Sequence, residues 1–214
     1  MPRNKNPEET VQKILDASLA LFIKKGFDRT TINDIVGELE GMTRGAFYHH
    51  FESKKEVLYA LLEKKFERIE LDFVDKSLNG LEQIQLLMIN GLAWSGDDGD
   101  DQLMRIMIDL LKDPTALSEQ VKENQSVGSE WLQNLVEIGI ADGSIKRQEP
   151  KPLTELILLL LNFWIIPTIY PVETIGEFEA KILMIKTVLD NLGCPIIDDK
   201  NIKIIYGLAK RFDV

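Results

Sequence analysis

The first 70 residues of this chain contain a series of clear helix boundaries. Residues 6–9, Asn-Pro-Glu-Glu, supply an N-cap, a proline at the first helical position and acidic residues in the first turn. Gly26 follows two lysines and supplies a left-handed C-cap. Three later helices each begin at a hydroxyl-bearing residue that can cap them: Thr31, Thr43 and Ser53. The sequence therefore predicts three short helices followed by one long helix.

Helical spacing of apolar residues continues through the rest of the chain, and no alternating strand pattern competes with it. The long fourth helix is predicted to run from Ser53 to about Phe73. Glycine and proline clusters divide the remainder into helices near 80–94, 101–112, 114–141, 152–170, 174–192 and 199–211. We therefore expect an all-α protein with an N-terminal domain over 1–52 and a larger C-terminal helical domain over 53–214.

Charge is distributed unevenly along the 214 residues, whose formal net charge is −10. Residues 1–68 contain 12 lysines and arginines against 11 aspartates and glutamates, so the other residues carry −11. A near-neutral N-terminal part can still present a basic face, and an acidic remainder repels polyanions from every other surface. The charge pattern therefore permits nucleic-acid binding at the N-terminal part without demonstrating it.

Several classes of protein are disfavoured by the residues present. A single cysteine, Cys194, excludes an intramolecular disulfide and fits a reducing cytoplasm. The most apolar stretch, 156–166, is shorter than a membrane span, so no membrane partner is expected. His49 and His50 lack a third metal ligand at useful spacing, and the aspartates of 97–101 lack the order of a calcium loop. We expect no metal, no cofactor and no enzymatic activity.

The segment from Thr31 to Phe51 has the proportions of a helix-turn-helix, with an orienting helix, a glycine turn at Gly41 and a short second helix. Its residues offer a guanidinium for base edges or phosphate, a glycine for close approach of the backbone, and several phosphate donors. The candidate DNA-binding residues are Thr31, Thr43, Arg44, Gly45, Tyr48, His49 and Lys54. The alternative is a plain three-helix bundle whose aromatic residues fill the core and whose polar residues form a solvated face.

The string Thr-Arg-Gly-Ala-Phe-Tyr-His-His-Phe-Glu-Ser-Lys-Lys-Glu-Val-Leu, residues 43–58, resembles the recognition helix and following cap of the tetracycline-repressor (TetR) family. Residues 27–36 resemble the passage between the first two helices of that family, and the resemblance covers roughly residues 10–62. It implies a homodimeric transcriptional regulator that binds double-stranded operator DNA. This chain has one residue more than the family's usual spacing between Ile35 and Gly41, which predicts a longer turn.

The resemblance also implies that two late helices from each subunit form a four-helix dimer interface. The most apolar late helices are those predicted over 152–170 and 174–192. The interface candidates are Leu156, Leu160, Phe163, Trp164, Ile182, Ile185 and Leu189. The alternative is that these side chains fill the core of their own subunit.

A pocket for an unidentified small-molecule effector is a further implication of the resemblance. Adaptable thioethers and large aromatic rings suit an apolar cavity between helices. The candidate ligand-binding residues are Met88, Trp94, Met104, Met107 and Trp131, each of which could instead be an ordinary core residue.

The functional hypothesis is a ligand-responsive repressor that binds a pseudo-palindromic operator as a dimer. Binding of the effector would shift the fourth helix and change the spacing between the two recognition helices. Two alternatives stay open: a helical interaction protein that does not bind DNA, and a ligand-dependent activator.

Overall fold

The computed structural model describes residues 7–72, 77–92, 98–125 and 127–210, and within these ranges the regular elements are all helical. The N-terminal helices are α1 Pro7–Lys25, α2 Ile32–Gly37, α3 Arg44–Tyr48 and α4 Lys54–Asp72. The helices that follow are α5 Gly80–Leu92, α6 Asp98–Leu110, α7 Pro114–Gln125, α8 Val127–Asp142, α9 Pro150–Leu159, α10 Ile175–Asn191 and α11 Ile202–Gly207. Helix α9 continues as a π-helical turn over Leu160–Trp164, and α11 continues as a 3₁₀ turn over Leu208–Lys210.

Helix α1 begins and ends where the sequence predicts. Glu8 and Glu9 lie in its first turn and Lys24 and Lys25 in its last, which complements the helix dipole at both ends. Gly26 follows with a φ of +84°, and its N–H donates to the carbonyl of Phe22 at 3.0 Å. A left-handed residue closes the helix at this point, and glycine adopts that conformation without steric cost.

The chain divides into two compact units. The described residues up to Leu71, together with those of α6 up to Ile106, form the N-terminal unit; the other described residues form the C-terminal unit. Helix α4 up to Leu71 thus belongs with the first three helices, whereas the sequence analysis assigned it to the C-terminal domain. No helix in the described part of the chain is long and apolar enough to cross a membrane.

The core of the N-terminal unit fixes the orientation of its short helices. Phe47 of α3, Ile35 of α2 and Ile14 of α1 are each fully buried, and Val57 from the first turns of α4 joins them. Helices α2 and α3 each contribute a single fully buried side chain to this cluster. Tertiary burial, and not helix propensity, therefore holds helices of five or six residues in place.

In the C-terminal unit, helices α5 and α8 approach each other closely at two glycines. A Cβ atom added to Gly80 would lie 2.2 Å from the backbone nitrogen of Gly139, so no side chain larger than hydrogen fits there. The N–H of Gly80 donates to a carboxylate oxygen of Asp142 at 2.7 Å, and that of Leu81 donates to the Ser144 hydroxyl. The end of α8 therefore caps the beginning of α5, where free N–H groups need acceptors.

The interface predicted on the late helices requires a correction. Ile182, Ile185 and Leu189 have no exposed surface, and Leu160 and Phe163 are about nine-tenths buried, all within their own subunit. Four of these five residues belong to one apolar cluster with Phe178, Val136 and others. A side chain fully covered by its own subunit cannot contact a second one, so the three α10 residues are core residues. Leu156 and Trp164 are half-buried and pack against the same cluster.

Two helix predictions differ from the structure in length. The helix predicted over 152–170 ends at Trp164, because Pro167 cannot donate a hydrogen bond and restricts the residue before it. Its last turn is π-helical, with the Ile165 N–H donating to the Leu160 carbonyl at 3.0 Å. The single helix predicted over 114–141 is described as two helices, α7 and α8, on either side of residue 126, which lies outside the described residues.

Candidate DNA-binding surface

The beginning of α2 is fixed by a reciprocal capping box. The backbone N–H of Asp34 donates to the Thr31 hydroxyl oxygen at 3.2 Å, and the N–H of Thr31 donates to the Asp34 carboxylate at 2.7 Å. The ammonium of Lys25, at the end of α1, lies 2.6 Å from the same carboxylate. Hydrogen bonds from Lys25 and Thr31 hold the pKa of the Asp34 carboxyl well below its ordinary value. One carboxylate therefore joins the end of α1 to the start of α2.

The connection between α2 and α3 is a six-residue turn closed at Gly41. The N–H of Met42 donates to the carbonyl of Leu39 at 3.1 Å, and Gly41 between them has a φ of +75°. Positive φ at the third position of a four-residue turn favours glycine. Thr43 then caps α3, its hydroxyl oxygen accepting from the N–H of Ala46 at 3.1 Å. The turn and the cap together set the residue at which the short helix starts.

Because its start is fixed, α3 turns one face inward and the other outward. Phe47 is fully buried and Phe51, one turn later, is 6% exposed. The outward side presents residues that the sequence analysis proposed for DNA contact: Thr43, Arg44, Gly45, Tyr48 and His49, all exposed. The structure therefore brings five of the seven candidates together on one surface of a single helix and its caps.

The side chains of this surface can hydrogen-bond both to phosphate groups and to the edges of bases. The Arg44 guanidinium lies 5.9 Å from the centre of the Tyr48 ring, close enough for a cation–π interaction that restrains an exposed cation. Tyr48 packs edge-on against Phe47 with 5.8 Å between ring centres, which leaves its far edge in solvent. A Cβ atom at Gly45 would meet nothing closer than 3.8 Å, so the backbone is open to approach there. Arginine can pair with guanine O6 and N7, and tyrosine can donate to phosphate.

Lys54, the first residue of α4, is placed differently from the other candidates. Its ammonium donates to the backbone carbonyls of Phe27, Asp28 and Thr30 at 2.6, 3.0 and 3.0 Å. It also lies 4.4 Å from the centre of the Phe27 ring. Burial lowers the pKa of this ammonium, and the Asp28 carboxylate partly offsets the effect. The predicted contact between Lys54 and phosphate stays a prediction, but it competes with three hydrogen bonds inside the protein.

Comparisons with known proteins agree with this geometry. Residues 14–61 match the family model of the bacterial regulatory proteins of the TetR family. Over 66 residues the chain is 46% identical to the HTH-type transcriptional regulator SrpR of Pseudomonas putida, a match spanning 31% of this chain and 30% of SrpR. It is 26% identical over 159 residues to IcaR of Staphylococcus epidermidis, covering 71% of this chain and 80% of IcaR.

A solved structure is similar over most of the chain. The crystal structure of a TetR-family transcriptional regulator from Pectobacterium atrosepticum covers 89% of this chain with a TM-score of 0.61 and 22% identity; 97% of that protein is matched. The chain is thus similar to TetR-family transcriptional regulators, and the similarity in sequence is strongest over its first 66 or so residues. The capped helix α3 lies within the segment that the family model matches.

Two features of the segment that the family model matches were missed by sequence reasoning. The capping box of Thr31 and Asp34 follows a recognisable spacing, with an acidic residue three positions after a threonine, and could have been found. The Lys54 hydrogen bonds join residues 24 to 27 positions apart, so no local pattern signals them. Ser53 caps α4 as its sequence position indicates, because its hydroxyl accepts from the N–H of Glu56. The Glu56 carboxylate accepts from the N–H of Glu52 and not from that of Ser53.

The candidate effector residues do not lie together in the described part of the chain. Met88 is 9% exposed within the apolar core of the C-terminal unit, and Trp131 is half-buried against that core. Met104 and Met107 are half-buried on α6, and the former belongs to the N-terminal unit. Trp94 lies outside the described residues. Only Met88 and Trp131 are thus placed around the same core.

Proposed function

We propose that this chain is a ligand-responsive repressor that binds a pseudo-palindromic operator as a homodimer. The observation that carries the proposal is the outward surface of α3, where Arg44, Gly45 and Tyr48 are exposed while Phe47 anchors the helix. A surface of one short helix contacts only a few base pairs, so two copies about one turn of DNA apart are needed for useful affinity. Repression is supported by the description of the similar IcaR as a negative transcriptional regulator.

Helix α10 supports the dimer through residues other than those first predicted. Its apolar residues Leu183 and Met184 are 48% and 54% exposed and lie on the side of the helix away from the buried Ile182 and Ile185. Ile175, the first residue of the helix, is 51% exposed. Exposed apolar residues grouped on one element are typical of an interaction surface. We propose that this face of α10 contacts the second subunit, while the opposite face, with Ile182 and Ile185, packs inside.

An effector site is proposed in the C-terminal unit beside Met88 and Trp131. A buried thioether and a half-buried indole around the same core offer adaptable apolar surface with one polar N–H. An effector that couples to DNA binding by about 1 to 3 kcal/mol would change operator affinity roughly 5- to 150-fold. A compound that binds without changing operator affinity is not the effector, because it does not distinguish the two states.

The experiment that tests the DNA-binding proposal is selection from a random duplex library with the purified full chain. Enrichment of an inverted repeat, bound by two chains per duplex in sedimentation analysis, supports a dimeric operator-binding protein. Arg44→Ala should weaken binding to the selected duplex about tenfold or more, whereas the exposed Arg147→Ala should not. A folded protein that enriches no sequence at low salt, with and without candidate effectors, contradicts the proposal and favours the interaction-protein alternative.

The direction of regulation is tested by placing the selected operator over a promoter that drives a reporter. Expression that falls when the protein is produced, and recovers with Arg44→Ala, supports repression. Expression that rises contradicts repression and identifies the activator alternative.

A further inference from the structure

Asn162 is a polar residue within the most apolar helix of the chain. Between Leu156 and Ile166 it is the one residue whose side chain carries an amide, a hydroxyl or a charge. Its Nδ2 donates to Oδ1 of Asn124, on α7, at 3.1 Å, and both side chains are half-buried. An amide has two N–H donors and one carbonyl oxygen. In the part of the chain that the structure describes, the Asn162 carbonyl oxygen and the Asn124 NH₂ group have no protein partner.

The main chain at Asn162 offers hydrogen-bond acceptors as well. The N–H of Ile165 donates to Leu160, five residues back, and not to Leu161 as in an α-helix. The N–H of Ile166, which would serve Asn162, donates to a residue three positions back. The carbonyls of Leu161 and Asn162 therefore lack their α-helical donors. Single π-helical turns of this kind are rare and occur frequently at functional sites.

The surroundings of Asn162 along its own helix are apolar. Its neighbours Leu161 and Trp164 pack against the core cluster that contains Met88, and Trp131 packs against the same cluster. No residue of the segment 156–172 is charged. A charged group that lost its water in such a place would need a partner of opposite charge, which this segment does not supply. The two amides are thus suited to an uncharged ligand.

We propose that Asn124 and Asn162 form the polar end of the effector site, and that they select an uncharged, largely apolar effector with an amide-like group, such as a carboxamide or a lactam. The inference rests on the proposed effector site beside Met88 and Trp131. The carbonyl oxygen of Asn162 accepts from the ligand N–H, and the NH₂ group of Asn124 donates to the ligand carbonyl. A carboxylate offers only acceptors and an ammonium only donors, so each would leave one of these groups unpaired.

Four one-ring compounds test the selectivity: benzamide, benzoate, benzylamine and toluene. They share the apolar ring and differ in the polar group that would meet the two amides. Binding to the full chain is measured by titration of the ¹⁵N-labelled protein, with the side-chain amide signals as the readout. We expect benzamide to bind about fivefold or more tightly than each of the others. Equal affinities, or no binding of benzamide at millimolar concentration, would overturn the proposal.

Replacing both amides shows whether they are the source of the preference. In the double variant Asn124→Leu/Asn162→Leu neither partner is left unpaired, so the subunit should stay folded, which circular dichroism checks. The variant should bind toluene as wild type does and should lose the preference for benzamide. Asn134→Leu, at an exposed residue of α8, is the matched control and should keep it. A folded double variant that still prefers benzamide contradicts the proposal.

Asn162→Asp gives an opposite expectation with almost no change of shape. The carboxylate replaces a side chain that donates and accepts with one that only accepts, and it adds a negative charge. The preference should therefore shift from benzamide to the ammonium form of benzylamine. An unchanged preference for benzamide in this variant would mean that Asn162 does not face the ligand.

These measurements use no DNA, so their outcome is separate from that of the proposed function. A chain that prefers benzamide through the two amides, but whose operator affinity changes with no amide ligand, has the binding site without the proposed effector response. A chain whose operator affinity responds to charged effectors, and which does not distinguish the four compounds, contradicts only the inference about Asn124 and Asn162.

Discussion

The two units of this chain differ in where their function-bearing residues lie relative to the core. In the N-terminal unit, the buried Phe47 fixes the phase of α3, and the candidate residues are those that the same helix turns outward. In the C-terminal unit, aliphatic residues form both the core and the proposed contact between subunits. The adjacent residues Ile182 and Leu183, for example, are buried and exposed, respectively. In the N-terminal unit, residue type therefore distinguishes core residues from candidate DNA-binding residues. In the C-terminal unit it does not distinguish core residues from proposed contact residues.

The contrast explains why exposure could be predicted for residues of α3 but not for those of the late helices. Helix caps and one buried aromatic residue determine α3 locally, so the exposure of Arg44, Tyr48 and His49 followed from the sequence. The interface prediction took the most apolar residues of the late helices, and apolar character is what a subunit core selects as well. Ile182, Ile185 and Leu189 were consequently assigned to the interface although they fill the subunit.

Substitutions at adjacent positions of α10 test this contrast with the largest expected effect. Ile182→Ala should lower the free energy of unfolding by about 2 to 5 kcal/mol, because it leaves a cavity in a core that excludes solvent. Leu183→Ala, at a side chain 48% exposed, should change the folding of the subunit little and should weaken dimerisation. Chemical denaturation and sedimentation equilibrium measure the two quantities. A stable Ile182→Ala that dissociates into monomers would restore the original interface prediction.

The glycine contact between α5 and α8 tests how tightly the C-terminal unit is packed. Gly80→Ala should cost about 1 to 3 kcal/mol of stability, because the new methyl group would overlap the backbone of Gly139. Gly207→Ala is the matched control, since a Cβ atom there meets nothing within 4 Å and alanine favours helices. Thermal unfolding measures both variants. Equal effects of the two substitutions would contradict the described packing.

The dependence of stability on pH, below pH 7, tests the contacts by which the Asp34 carboxylate joins α1 to α2. The folded-state pKa of Asp34 is lowered, so its contribution to stability is present above the ordinary carboxyl pKa and is lost as pH falls below about 4. The stability difference between wild type and Asp34→Asn should therefore shrink as pH is lowered from 7 towards 3. Asp199→Asn, at an exposed residue, is the control. A difference that is independent of pH would mean that the ionised form of Asp34 is not what stabilises the joint.

A buried hydroxyl in α1 gives the smallest expected effect. Ser18 is fully buried, and its hydroxyl has no hydrogen-bond partner among the described residues. Ser18→Ala should therefore leave stability unchanged or raise it by up to about 1 kcal/mol. Thr30→Val is the contrasting variant, because the buried Thr30 hydroxyl donates to Gly26 and its loss should destabilise the unit. A clear loss of stability in Ser18→Ala would show that its hydroxyl has a partner after all.

Most of the structural features that could not be predicted from the sequence depend on contacts between residues far apart in the chain. The all-helical fold and the start of each N-terminal helix depend on residues within one or two turns, and these were predictable. The hydrogen bond from Lys54 to Thr30 joins residues 24 positions apart, and the one from Gly80 to Asp142 joins residues 62 positions apart. The early end of α9 could have been predicted from Pro167, whose restriction of the preceding residue is a local effect.

DNA binding by the outward surface of α3 is tested by titrating the selected operator duplex with wild type, Arg44→Ala and Arg147→Ala at one fixed salt concentration. We predict that Arg44→Ala loses about tenfold or more in affinity while its folding and dimerisation match wild type, and that Arg147→Ala binds as wild type does. Equal affinities of all three proteins would contradict this prediction, because the outward surface of α3 would then not be the one that binds DNA.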